Sequence, residues 1–248
     1  MYMKLVLQLR LSVFFFTFLA VFAALSFLIS GATFSSSALT LFSVNSFLYG
    51  FYIAPVLAGQ KQRIDDLSRA IRQEANALFE MLLRTKKLPR VSRNKLQAMF
   101  ETYMVASYNE RRPAAGEDEY ETLITYCLEY DGKDKETIEK ILTSLINNQQ
   151  NRSQIALLLK NKVYSNEWWI MLVLFSITMG FVLSFDVQDS VWLHLVKAFL
   201  CTGLSMLMVN LVKLSTLSHK RAKHVWDPLD NLKTSRFRTI ENPEPSDV

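Results

Sequence analysis

No charged side chain occurs between Leu11 and Gln60, and this uncharged run dictates more of the fold than any other part of the chain. A helix needs about 20 mostly apolar residues to cross a bilayer, so the run is long enough for two crossings. The segment GATFSSS, residues 31–37, predicts the turn between them. A second apolar block runs from Trp168 to Phe185 and, after FDVQDS, from about Val191 to Leu214. The chain is therefore predicted to be an all-α membrane protein, with four transmembrane helices in two hairpins that flank a cytoplasmic helical domain.

Basic residues lie where the chain enters and leaves each predicted hairpin, and the two hairpin turns contain no Lys or Arg. Lys4 and Arg10 precede the first span, and Lys61 and Arg63 follow the second. Further basic residues precede the third span or follow the fourth: Lys160, Lys162, Lys213, Lys220, Arg221 and Lys223. Lys and Arg in short loops are retained on the cytoplasmic side, and they also attract anionic lipid headgroups. We therefore expect both termini on the cytoplasmic or stromal side of a bacterial inner membrane or a plastid membrane, and the lipid bilayer rather than nucleic acid as a partner.

The same pattern divides the chain into five segments. They are a cytoplasmic N-terminus at 1–10, a first transmembrane hairpin at 11–58, a cytoplasmic helical domain at 59–166, a second transmembrane hairpin at 167–214 and a cytoplasmic tail at 215–248. In the tail, Trp226 and Pro228 are expected to pack on the helical domain.

Residues 59–166 combine the charge content of a soluble domain with apolar residues at helical spacing. A first apolar stripe begins at Ile64 and recurs every three or four residues up to Leu82, and its helix is expected to end before Pro89. Three further helices are predicted, from Ser92 to Asn109, from Asp118 to Tyr130 and from Ile138 to Leu159. A direct continuation of the last helix into the third span stays open.

Motifs for catalysis or metal binding are absent from the sequence. It contains no G-x-S-x-G, H-E-x-x-H, Walker glycine loop or C-x-x-C motif. His219 and His224 are five residues apart, which is off the spacing that puts two ligands on one helix face. The predicted spans carry no carboxylate, which argues against intramembrane proteolysis. We therefore predict that the chain is not an enzyme and that it uses no cofactor, metal or catalytic residue.

Lys197 is the one formal charge well inside a predicted span, and His194 shares its helix face. Charged groups at membrane depth are costly and often functional, although a long lysine stem can also carry its charge to the interface. Two interpretations stay open for this pair. It is either a snorkelling pair or an outer-mouth site that concentrates anions.

Small and hydroxylated residues follow one face of the second predicted span. On a helix this face carries Ser36, Thr40, Ser43, Phe47, Gly50, Phe51, Ala54 and Ala58, while every Leu, Ile and Val of the span lies elsewhere. Such a face can pack closely on other helices. It can also line a pore in which phenyl rings form a hydrophobic constriction. Periodicity alone favours packing.

Several motifs resemble a known family. The run SFLYGFY, residues 46–52, resembles the Ser-Phe-x-x-Gly-Phe-Tyr run in the pore helix of bestrophins. A closer resemblance is to the bestrophin-like domain family, in the segments IRQEANALFEMLLRTKKLPRVSRNKLQAMFETY and NRSQIALLLKNKVYSNEWW and in the Asp-Pro of VWDPL. The resemblance implies a homopentamer in which five second spans surround an axial pore.

The resemblance also implies a channel for ions, which we predict to be small and monovalent. It does not imply an ion selectivity, and the slight preference for anions that we predict is separate from it. Phe47 and Phe51 would form the constriction of the channel together with Ser43, a position that is aliphatic in many bestrophins. The acidic cluster of the calcium clasp in animal bestrophins has no counterpart that we can identify, so calcium gating is not predicted. The alternative is a non-conducting membrane scaffold or accessory subunit whose helical domain binds a soluble partner.

Overall fold

The computed structural model describes residues 9–29, 31–110, 116–161, 163–186, 190–217 and 224–234, without the side chains of 108–110 and 233–234. Lys4, Lys162 and the basic residues 220, 221 and 223, on which the predicted orientation partly rests, lie outside the described residues. His219, most of segment 1–10 and the end of the predicted tail also lie outside them.

Almost all regular structure in these residues is helical. In chain order the helices are α1 (Leu11–Leu28), α2 (Ser36–Thr85), α3 (Arg90–Glu110), α4 (Glu117–Leu128), α5 (Lys135–Lys160), α6 (Ser165–Ser184), α7 (Val191–Ser215), a 3-10 turn at His224–Trp226, and α8 (Asp227–Thr234). Helices α1, α2, α6 and α7 each contain a stretch long and apolar enough to cross a membrane. The prediction of an all-α membrane protein with four such helices is confirmed.

Helix α2 runs without a break from Ser36 to Thr85, although Pro55 lies inside it. Proline usually breaks a helix interior, but helices in membranes tolerate it because their surroundings satisfy the freed backbone groups. The helix therefore passes directly from the apolar stripe of the second span to the amphipathic stripe that begins at Ile64.

Helices α5 and α6 are separate, so the direct continuation that the sequence left open is not formed. Asn161 leaves the helical conformation after α5, with φ −71° and ψ 84°. Tyr164 is extended before α6, and its backbone N–H donates to Oε2 of Glu167 at 3.1 Å. A carboxylate in this position satisfies one of the free N–H groups at the start of a helix, and this contact fixes where α6 begins.

By its contacts the chain divides into two compact units, and the first is the membrane unit. Its described residues come from Met1–Ile64 and Lys162–Lys223. Within it α1 and α6 pack on α7, and an apolar core forms around Tyr49, Met171 and Leu211. The turn after α1 and the turn after α6 are joined by a backbone hydrogen bond, in which the Ala32 N–H donates to the Ser184 carbonyl at 2.7 Å.

The second unit is the helical unit, whose described residues come from Asp65–Asn161 and His224–Val248. Its pairs α3 with α4, α4 with α5 and α8 with α3 are in contact. Apolar residues of the predicted stripes form the buried core, including Leu67, Ile71, Leu78, Leu96, Phe100, Leu123, Ile138 and Ile141. Trp226 is buried in this unit next to α8, which confirms the predicted packing of the tail.

Candidate functional site

The eight small, hydroxylated and phenylalanine residues of the second span form one exposed surface, which we call the α2 stripe. Its members, Ser36, Thr40, Ser43, Phe47, Gly50, Phe51, Ala54 and Ala58, are all exposed in the single subunit. The Phe47 and Phe51 side chains are 68% and 70% exposed, and their rings stack with centroids 5.9 Å apart. The structure therefore brings together every residue predicted to line a pore, on a surface that the subunit's own helices leave uncovered.

The hydroxyl groups of Thr40 and Ser43 in the stripe are satisfied by their own helix. Thr40 Oγ1 donates to the Ser36 carbonyl at 3.0 Å, and Ser43 Oγ donates to the Leu39 carbonyl at 2.9 Å. A hydroxyl that bonds to the carbonyl four residues earlier still has lone pairs that can accept a hydrogen bond from water. The stripe can therefore face water without depending on a partner for these groups.

The opposite face of α2 holds the helix against the rest of the membrane unit. Tyr49 and Ile53 are buried on this face in the apolar core. Above them the Asn45 amide donates to the Thr178 hydroxyl at 2.8 Å and to the Leu174 carbonyl at 3.2 Å, both in α6. These contacts fix the rotation of α2 about its own axis, and as a result the α2 stripe points outward.

Arg63 ties the end of the second span to the end of α7. It is buried, and it donates to Gln60 Oε1 at 2.8 Å and to the backbone carbonyl of Ser215 at 3.1 Å. Carbonyl groups at a helix C-terminus lack intrahelical donors and carry partial negative charge, so a guanidinium is well matched to them. Burial lowers the pKa of Arg63. The sequence identified Arg63 only as a flanking positive charge, because its partner lies far away along the chain.

His194 and Lys197 each bond to a different part of the membrane unit. His194 Nδ1 lies 2.8 Å from the Ser26 hydroxyl of α1, and its ring stacks on Phe27 with centroids 4.5 Å apart. Lys197 is only 4% exposed, and its Nζ donates to the Phe185 carbonyl at 3.1 Å. The lysine stem therefore runs to the turn that follows α6, and the histidine runs to α1.

A buried polar network occupies the centre of the helical unit. The Tyr103 hydroxyl donates to Glu74 Oε1. The Arg152 guanidinium lies over the Tyr120 ring at 4.0 Å from its centroid and over the Tyr103 ring at 5.3 Å. Burial raises the pKa of Glu74, while the Tyr103 hydrogen bond and the Arg152 charge act in the opposite direction.

Amide side chains of α5 complete this network. The Tyr120 hydroxyl donates to the Leu145 carbonyl at 2.7 Å and accepts from Asn148 at 3.2 Å, and burial raises its pKa to about 12. Asn151 in turn donates to Asn148 Oδ1 at 3.0 Å. Buried polar groups need such partners, and Asn148 is the amide of this stretch that lies in the core of the unit.

Metal and thiol chemistry find little support in the part of the chain that the structure describes. There, no group of three or more His, Cys, Asp or Glu side chains is placed to hold a metal ion. Cys127 and Cys201 are buried, and burial raises the pKa of Cys127 to about 11, which disfavours the reactive thiolate. The polar chemistry of interest is therefore that of the α2 stripe, Lys197 and the Glu74 network.

The fold and the α2 stripe define a multi-pass, all-α membrane protein. The chain belongs to the bestrophin-like domain family, whose sequence model matches residues 11–219. The family predicted from SFLYGFY and the longer motifs is thereby confirmed. It is a channel family and not an enzyme family, which points to a channel-type function. No curated protein and no solved structure matches the chain.

Proposed function

We propose that several copies of this chain, five by the family resemblance, form a channel for small monovalent ions. In this channel the α2 stripes of all copies surround a common axis. The single observation that carries the proposal is the exposure of all eight stripe residues, opposite a face of α2 that is buried in its own subunit. A stripe on one helix cannot enclose a pore, so conduction requires the chain to associate with itself.

Phe47 and Phe51 form the narrow part of this pore. They are one helical turn apart, or about 6 Å along the axis at 1.5 Å per residue. Rings of phenyl groups at these two levels exclude water when the pore is narrow, and this gates ion flow by dewetting. Ser43 lies one helical turn closer to the start of α2, and its hydroxyl makes the pore wall less apolar there. The constriction is therefore short.

The stripe carries no formal charge, so its selectivity between ions is weak. A slight preference for anions comes from the outer mouth, where Lys197 and the half-buried His194 lie on α7. Positive charge near a pore entrance raises the local concentration of anions, and added salt screens this effect.

The proposed setting is a bacterial inner membrane or a plastid membrane, with both termini on the cytoplasmic or stromal side. Arg10, Lys61 and Arg63 support this orientation. Exposed tryptophans support two membrane interfaces, since Trp169 lies at the start of α6 and Trp192 at the start of α7. Tryptophan is enriched at both edges of a bilayer.

Two measurements on the purified full chain test the proposal. The mass of the detergent-solubilised particle should correspond to a ring of copies, whereas a monomer or dimer would favour a non-conducting scaffold. In reconstituted vesicles the double variant Phe47→Ala and Phe51→Ala should conduct faster than the unmodified chain, because the constriction is removed. Phe16→Ala is the matched control, since Phe16 is an exposed phenylalanine of α1 away from the stripe. Equal flux in the double variant and the control would rule out this constriction.

A further inference from the structure

A groove opens on the surface of the membrane unit at its turn end, by which we mean the end where Ala32 pairs with Phe185. It has a volume of about 260 Å³, and its walls come from α2, α6 and α7. The residues that matter here are Phe42, Phe181, Leu193, Val196, Leu200 and Lys197. Apart from the lysine these are apolar, so the turn-end groove suits a hydrocarbon.

Lys197 gives this apolar groove a positive charge. The side chain is 4% exposed, and the Phe185 carbonyl accepts one of the three hydrogens that a lysine ammonium can donate. The neighbouring Asp186 attracts the same ammonium electrostatically. Because the stem reaches toward the turn, the charge lies at the level where a membrane-spanning helix ends and lipid headgroups begin.

The groove is open on the side of α7. Leu193, Val196 and Leu200 line it and are exposed in the subunit, so a molecule dissolved in the membrane can reach it. Its volume is below the ~300–1,000 Å³ of pockets that enclose a whole small-molecule ligand. It can therefore hold one segment of an extended chain while the remainder of the ligand stays in the bilayer.

We propose that the turn-end groove binds a membrane glycerophospholipid, with part of one acyl chain along its apolar walls and the phosphate accepting hydrogen bonds from Lys197. A phospholipid combines the two properties that the groove requires, a hydrocarbon chain and an anionic group at the depth of the interface. The site does not depend on whether the α2 stripe conducts ions, because no residue of the stripe lines the groove.

A labelling experiment on the unmodified full chain tests the location. Phosphatidylglycerol carrying a diazirine on one acyl chain is added at low mole ratio to the protein in detergent, irradiated, and the labelled residues are mapped by mass spectrometry. Labels should concentrate on residues 181–185 and 193–200, and excess unlabelled phosphatidylglycerol should remove them. Labels spread evenly over the exposed faces of all four spans would overturn the proposal.

Native mass spectrometry of the same lipid tests the chemistry. Lys197→Met should lower the retained phosphatidylglycerol by about five-fold, the order expected for one basic residue next to an anionic headgroup, while Lys197→Arg should retain it. Leu200→Trp, which fills the groove, should lower it equally. Leu207→Trp is the matched control on the same helix outside the groove, and it should retain the lipid. Equal retention by all four variants would overturn the proposal.

A second copy of the chain is the competing occupant of the groove. A cysteine placed at the exposed position Leu193 distinguishes the two. If lipid fills the groove, this cysteine should react with a membrane-soluble maleimide, and added phosphatidylglycerol should slow the reaction. If this cysteine instead forms a disulfide between two copies when no lipid is added, a second subunit occupies the groove and the lipid proposal is wrong.

Discussion

The hydroxyl of Tyr103 donates its hydrogen to the carboxylate of Glu74, and both side chains are almost completely buried in the helical unit. A buried carboxylate is costly unless hydrogen bonds and nearby positive charge compensate it. Arg152 supplies that charge, and its guanidinium lies over the Tyr103 ring at 5.3 Å from the centroid. Glu74 is therefore a group through which the stability of this unit responds to pH.

The first prediction concerns this pH response. Because burial outweighs the opposing contributions, the pKa of Glu74 is raised in the folded state above its ordinary value near 4.5. A carboxyl with a raised folded pKa stabilises the fold fully at pH values below its unfolded pKa, and this stabilisation is lost as pH rises through the folded pKa. The midpoint of thermal unfolding should therefore fall as pH rises above 4.5, and Glu74→Gln should make that fall smaller.

Glu80→Gln is the control for this prediction. Glu80 lies on the same helix, but it is exposed and forms a surface ion pair with Arg84 at 2.7 Å. Its removal should leave the pH profile of the unmodified chain in place. If the unfolding midpoint of Glu74→Gln falls with pH as steeply as those of Glu80→Gln and the unmodified chain, another group sets the pH response.

Arg152 is the subject of the second prediction. Its planar guanidinium lies 4.0 Å from the centroid of the Tyr120 ring in a partly buried position, so Arg152→Met should lower the free energy of unfolding by about 2 kcal/mol. Arg152→Lys should recover only part of this, because an ammonium cannot stack as a guanidinium does. Lys95→Met is the comparison, since the Lys95 ammonium lies over the Tyr126 ring at the surface. Loss of this exposed cation–π contact should lower the free energy of unfolding by only about 0.5–1 kcal/mol. Chemical denaturation followed by circular dichroism would measure these differences, and equal losses at both positions would contradict the argument.

The third prediction tests what orients α2. Replacing Asn45 by Leu removes both of its hydrogen bonds to α6. Thr178 keeps its own bond to the Leu174 carbonyl at 2.8 Å, so no new unpaired hydroxyl is created. The loss should be about 0.6–1.7 kcal/mol, which spans the average and the maximum found for hydrogen bonds between membrane helices. Thr40→Val, which removes a hydroxyl bonded only within its own helix, should cost less in the same thermal unfolding assay. If the two variants unfold alike, Asn45 does not hold the helix.

The fourth prediction concerns the joined turns. A side-chain carbon added at Gly31 would overlap the backbone and side chain of Asp186, so Gly31→Ala should force the turns apart and cost about 1–3 kcal/mol. Gly203→Ala, on α7, meets nothing within 4 Å, and a helical alanine is more favourable than glycine. Hydrogen exchange at the Ala32 amide should accelerate in the first variant alone. Unchanged exchange there would show that the pairing tolerates the extra carbon.

Features that depend on neighbouring residues could be predicted from the sequence. The apolar block that starts at Val191 forms α7, and the stripe that includes Ile71 and Leu78 forms a buried helix face. Both could be predicted because the length of an apolar run and a period of 3.6 residues are local properties of the sequence. The same periodicity placed the α2 stripe on one helix face but favoured packing of that face, whereas the structure leaves it exposed in the single subunit.

Features that depend on tertiary contacts could not be predicted. Glu74, Tyr103 and Arg152 lie on three different helices, and no spacing rule connects them before the chain folds. The role of Arg63 depends on the Ser215 carbonyl in the same way.

Pro55 has a consequence for the proposed constriction. A proline has no N–H, so the carbonyl of the residue four positions earlier loses its intrahelical donor, and that residue is Phe51. Kinks in long helices concentrate at such positions. A flexion joint therefore lies one turn beyond Phe51, and bending there would move Phe47 and Phe51 together relative to the residues that follow Pro55.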